Sequence, residues 1–96
     1  MAFVVTAMWT AKEGEEEAVA SAISKLIEPS RAEPGSIQYQ VHRDPENPRL
    51  FFFYEQYEDR AAYEAHGASE HFAQYGFGDA IPRLEGRERA FYETWG

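Results

Sequence analysis

Ninety-six residues leave room for one hydrophobic core, so residues 1–96 read as a single domain. Seventeen acids against nine bases give a net charge of −8, which repels a phosphate backbone and argues against nucleic acid as a partner. Without cysteine there is no disulfide or thiolate metal site, and without a signal-like start or a run of ~20 apolar residues neither export nor membrane insertion is indicated, so the expected location is the cytoplasm.

From Phe3 to Thr10 the chain alternates as a strand, with Phe3, Val5, Ala7 and Trp9 on one side and Val4, Thr6, Met8 and Thr10 on the other. Neither side is charged, so both faces are expected to be covered. From Glu13 the period becomes helical. Ala18, Val19, Ala22, Ile23, Leu26 and Ile27 form one stripe, and Glu15, Glu16 and Glu17 sit where carboxylates favour a helix start. Pro29 either ends this helix or kinks it, in which case the helix runs on to about Ala32 before Pro34-Gly35 stops it.

Ile37, Tyr39 and Val41 alternate with Gln38, Gln40 and His42 as a second strand, and Asp44 to Pro48 is a turn cluster. Arg49 to Tyr57, with its apolar run Leu50 to Tyr54, reads as a central strand. Asp59 suits the N-cap of a short helix reaching His66, and Ser69 the cap of a further turn carrying Phe72 and Tyr75, closed by Gly76 or Gly78. Pro82 lies in a connector, and Glu88 to Trp95 reads as the last strand.

The order β-α-β-β-α-β predicts a ferredoxin-like α+β fold with an antiparallel sheet and both helices on one face. The other face has no cover within the chain, so an identical subunit is expected against it. Aromatics at 16% of the sequence point the same way, since they exceed what one small core readily hides and call for an interface, a pocket or both.

His66 and His71 flank the break between the short helical pieces and are the residues suited to acid–base chemistry. A metal would want both aimed at one point, typically with a third carboxylate or His, and their spacing of five is not the helical i, i+4 pair, so no metal is expected. His42 lies on a polar strand face. Glu55, inside the aromatic strand, needs a partner or an exposed strand end. No nucleotide-binding or hydrolase motif is present.

Glu33-Pro34-Gly35-Ser36-Ile37-Gln38-Tyr39, Asp44-Pro45 to Pro48, Phe53-Tyr54-Glu55 with Tyr57, and Ala65-His66 to Ser69-Glu70-His71-Phe72 together resemble the antibiotic biosynthesis monooxygenase (ABM) family, in particular its quinol-monooxygenase-like members. The resemblance implies a dimeric α+β barrel made of two ferredoxin-like sheets, with a pocket between sheet and helices in each subunit. Haem-degrading members carry an Asn, a Trp and a His where this chain has Ala7, His66 and Gly76, which argues against haem. Polyketide-oxidising members carry a Trp where His66 stands. The resulting expectation is a cofactor-independent monooxygenase, a homodimer oxidising a small quinol or phenol with O₂. His66 and His71 are its catalytic candidates, and Trp9, Phe53, Tyr54, Phe72 and Tyr75 hold the ring. Isomerisation of a small hydroxy-ketone, phosphorylated or not, and a non-catalytic binding or stress-response module are the alternatives.

Overall fold

The computed structural model describes residues 1–96. Strand β1 (Phe3–Ala11) leads into helix α1 (Glu16–Arg31), then β2 (Ser36–Arg43), β3 (Leu50–Tyr57), helix α2 (Arg60–Gly67), a π-helical segment (Phe72–Ala80), a 3₁₀ turn (Ile81–Arg83) and β4 (Leu84–Glu93). The strands form one antiparallel sheet in the order β2-β3-β1-β4, the ferredoxin-like arrangement that the element order predicts. No helix is long and apolar enough to cross a membrane.

The barrel is not found. β2 and β4 are free edges of an open sheet and do not pair with each other. Four strands fall well short of the roughly eight whose closure leaves space for interior side chains, and here the helices supply the cover on one face instead.

That face carries the core. Ala7, Trp9 and Ala11 of β1, Phe51 and Phe53 of β3 and Tyr39 of β2 are buried against Val19, Ala22, Ile23 and Leu26, the predicted stripe of α1, while Phe3, Val5 and Tyr57 form a second cluster beside Ala62 and Tyr63. The opposite face presents Thr6, Met8, Phe52, Tyr54, Gln40 and Tyr92, with Met8 and Tyr92 exposed. Within one chain the helices cover one side of β1, and on the far side Val4 is buried and Met8 exposed, because alternation sends every second residue to the face that no helix reaches.

Helix α1 accommodates Pro29 and runs on to Arg31. The proline falls in the last turn, where its missing N–H costs a single intrahelical bond. Asp59 caps α2 as expected, its Oδ1 accepting the Ala62 N–H at 2.9 Å. Ser69 accepts the Phe72 N–H at 3.2 Å and donates its hydroxyl to the His66 carbonyl at 2.6 Å, fixing the break between α2 and the next helical segment.

Neither Gly76 nor Gly78 closes that segment. The chain winds through both as a π-helix, with the Ile81 N–H bonding back to the Gly76 carbonyl. A Cβ at position 78 would lie 2.9 Å from the Ala73 carbonyl oxygen, so the wide turn depends on the glycine there. β4 begins at Leu84, earlier than its alternation suggested, and ends at Glu93, leaving Trp95 outside the strand and 97% exposed.

Candidate active site

Between the sheet and the second helical region lies a cavity of about 170 Å³. Its floor is the helix-side face of the sheet, where Val5, Ala7 and Trp9 sit beside Phe53 and Glu55. Ala7 is the small residue in this row and leaves the depression over β1 that its larger neighbours surround. Tyr63 and His66 of α2 and Phe72 and Phe77 of the π-helical segment form the wall. Phe72 and Phe77 meet edge to face at 5.1 Å.

His66 is the polar centre of this wall and only 3% exposed. Its ring packs 5.1 Å from Phe72 and 5.6–5.7 Å from Tyr39 and Tyr57. Nδ1–H donates to Glu33, 2.9 Å from Oε2, which leaves Nε2 as the free nitrogen. On the Nε2 side stands Glu55, its Oε1 3.9 Å away. That gap is too long for a hydrogen bond, yet a hydroxyl oxygen could sit about 2.8 Å from both atoms.

Glu33 reaches His66 because the turn after α1 lies directly on α2. Gly35 makes this possible: a Cβ there would fall 2.4 Å from the Ala62 Cβ. The same carboxylate accepts the Nε2–H of His71 at 2.5 Å. His71 therefore joins the site through Glu33 and does not border the cavity.

Glu55 is buried, not at an exposed strand end, and accepts the Tyr57 hydroxyl at 2.6 Å. Burial pushes its pKa upward; the Tyr57 hydrogen bond and the neighbouring His66 oppose this, Glu33 reinforces it, and Arg89 opposes it. Burial, and then the nearby Glu55 charge, raise both Tyr39 and Tyr57, so these phenols stay protonated donors.

Glu33, His66 and His71 also form a cluster of metal-capable side chains, with ligand atoms within 4.8 Å of one another. Glu33 is the carboxylate that joins the two histidines. Its contacts of 2.9 and 2.5 Å have hydrogen-bond lengths. Ligands about 2.0–2.1 Å from a tetrahedral zinc ion would stand roughly 3.3–3.4 Å apart, so the arrangement suits shared protons better than an ion.

Of the residues expected to hold a ring, Trp9, Phe53 and Phe72 border the cavity. Tyr54 does not, since it follows Phe53 in the strand and so points to the opposite face. Tyr75 packs against the core beside α1, with the Lys25 ammonium 5.7 Å from its ring centre. Arg87 and Arg89 border the cavity unforeseen: Arg87 lies in the part of β4 that precedes the expected stretch, and Arg89 lies within that stretch on the face shared with Ala7.

A ferredoxin-like sheet roofed by helices over a small, largely apolar cavity, with a buried carboxylate–imidazole pair on its border, defines the α+β class to which the protein belongs. The chain belongs to the antibiotic biosynthesis monooxygenase family, whose model matches residues 2–76. Its fold is similar to that of PA3566 from Pseudomonas aeruginosa, with a TM-score of 0.91 and 33% identity over 99% of this chain and 95% of that one. A solved antibiotic biosynthesis monooxygenase is similar at a TM-score of 0.91 and 25% identity, over 98% of this chain and 99% of that one. An uncharacterised protein of Synechocystis is 38% identical over 50 residues, 52% of this chain. That match spans 34% of the Synechocystis protein, about a third of its length.

Proposed function

We propose that the protein is a cofactor-independent monooxygenase that oxidises a small quinol or phenol with O₂. The observation carrying this reading is the free Nε2 of His66, held by Glu33 at an aromatic-lined cavity opposite Glu55. A comparable apolar cavity of about 150 Å³ holds one benzene, so the volume suits a single ring and not a polycycle.

The ring lies among Trp9, Phe53 and Phe72 with one hydroxyl between His66 and Glu55. His66 removes the hydroxyl proton, and Glu33 steadies the resulting imidazolium. The electron-rich phenolate then reduces O₂ directly. One oxygen atom enters the ring and the other leaves as water, the quinol supplying both electrons and protons. His71 supports this through Glu33, as a positioning residue.

The test is oxygen uptake with a panel of single-ring quinols, read above the protein-free autoxidation rate and with an oxygenated product identified. His66→Gln is expected to lose about a hundredfold or more in kcat. Uptake no faster than the protein-free rate across the panel, or a fully active variant, would sink the reading.

Isomerisation of a small hydroxy-ketone is the second reading. Nε2 and the Glu55 carboxyl, 3.9 Å apart, could remove and return protons at adjacent carbons. Product formation without oxygen distinguishes it, and saturable binding without product would indicate a simple ligand-capture module. We also propose that a second copy covers the open sheet face, where Met8, Phe52, Tyr54 and Tyr92 make an apolar surface on a small domain. Light scattering on the wild type and Met8→Glu tests this: a dimer that the charge disrupts is expected.

A further inference from the structure

The side of the cavity formed by β4 is cationic. Pairing with β1 places Arg87 opposite Trp9 and Arg89 opposite Ala7, so both side chains share the helix-side face and border the cavity. Acids outnumber bases 17 to nine in this chain, and a guanidinium would be expected to find a carboxylate. Arg31, Arg43, Arg49 and Arg83 do so. Arg60, over the Phe3 and Phe91 rings away from the cavity, makes no such pair, and neither do Arg87 and Arg89. Arg87 lies 5.9 Å from the ring centre of Phe77, and Arg89 donates to the Tyr63 hydroxyl at 2.8 Å.

Glu55, the carboxyl bordering the cavity with them, forms no ion pair with either arginine and already faces His66 and the Tyr57 hydroxyl. Two cations without a carboxylate partner therefore meet an apolar cavity in an otherwise acidic protein. Charged residues on an edge strand also guard against aggregation, but Glu85, Glu88 and Glu93 already serve β4 in that way. The arginines differ in facing the cavity.

We propose that Arg87 and Arg89 form an anion subsite at the cavity mouth, so that the ligand is a single-ring molecule bearing a carboxylate or phosphate group. This rests on the reading of the cavity as the substrate site. The sheet sets the layout: β3 and β4 flank β1 and stand about 9–10 Å apart, so the hydroxyl engaged by His66 and Glu55 and the anion held from β4 fall at opposite ends of one substituted ring. Guanidinium groups suit such planar or tetrahedral oxyanions because they donate through a rigid fork.

Anaerobic calorimetric titration separates binding from turnover. The probes are 2,5-dihydroxybenzoate, its neutral methyl ester and hydroquinone monophosphate. At low salt at least one anionic probe is expected to bind about tenfold or more tightly than the ester, the worth of one charge-assisted bond. The tighter of the two identifies carboxylate or phosphate. The preference should shrink with added salt and vanish in Arg87→Gln/Arg89→Gln, while the ester's affinity stays at the wild-type value. Should that pair not fold, Arg87→Gln alone, whose side chain makes no hydrogen bond in the fold, is expected to lose part of the preference. Equal binding of ester and anions, a preference that survives the substitutions, or no binding by any probe would overturn the subsite. Oxygen uptake is read separately. Anion preference without uptake removes the monooxygenase reading and keeps the subsite, whereas uptake without anion preference does the reverse.

Discussion

Glu33→Gln probes the arrangement most directly, because one carboxylate holds both histidines. The Glu33 side chain is 14% exposed, and the His66 and His71 rings it binds are 4% and 20% exposed. An amide keeps one acceptor oxygen and turns an NH₂ group toward the other ring N–H. One charge-assisted hydrogen bond is lost, at a cost of about 1.5–3 kcal/mol in unfolding free energy. Urea denaturation at neutral pH measures it. Added to Glu33→Gln, His71→Ala should cost less than it does in the wild type, since the shared bond is already weakened.

The kinetic consequence is separable from that loss. Without the carboxylate, His66 loses the partner that fixes its tautomer, and kcat should fall roughly ten- to a hundredfold, as for other groups that orient a functional imidazole. KM should hold, because Trp9, Phe53 and Phe72 are untouched. Glu33→Asp, which keeps the charge, should recover part of the rate. A Glu33→Gln protein with wild-type kcat and stability would refute the orienting role.

Three further outcomes follow from the geometry. Burial raises the Glu55 pKa above 4.5, so the folded state binds that proton more tightly than the unfolded chain; this stabilisation is complete below pH 4.5 and is lost as pH rises through the raised value. The stability difference between wild type and Glu55→Gln should therefore fall with pH above 4.5, and a flat difference in denaturant titrations would contradict it. Gly78→Ala gains about 1 kcal/mol of helix propensity but forces a Cβ to 2.9 Å from the Ala73 carbonyl. Overpacking of that kind costs about 1–3 kcal/mol, so the thermal midpoint should drop, and a rise would show that the segment relaxes freely. Phe53→Ala, on the buried face, should cost about 3–5 kcal/mol in a denaturant melt. Tyr54→Ala, one residue on, should cost far less in dilute protein, its penalty growing with concentration where a second copy covers that face.

Much of the fold was legible because it depends on local periodicity. The stripe Val19, Ala22, Ile23, Leu26 specifies a helix facing a sheet, and Asp59 marks the next helix start through its cap. Closure was not legible, since an open sheet and a curled one share the same alternation. The π-helical segment was hidden for another reason: Gly76 and Gly78 match the usual stop signals, and only the close approach of the Ala73 carbonyl shows that glycine permits continuation there. Within the site, the imidazole and three of the ring residues could be read from sequence. Glu33 was visible only as part of the Glu33-Pro34-Gly35 pattern, because its meeting with His66, 33 positions away, depends on the turn packing against Ala62. Tyr54 was misplaced by a single step of strand alternation.

The wide winding of residues 72–80 also bears on how this cavity could be gained or lost by descent. In an α-helix, five steps of about 100° would set Phe77 about 140° around the cylinder from Phe72. Here the two rings touch. One residue inserted into an ancestral α-helix is enough to make that change, and one deletion would reverse it. Relatives that differ by a single codon in this stretch would then keep the sheet, His66 and Glu33 while lacking one aromatic wall.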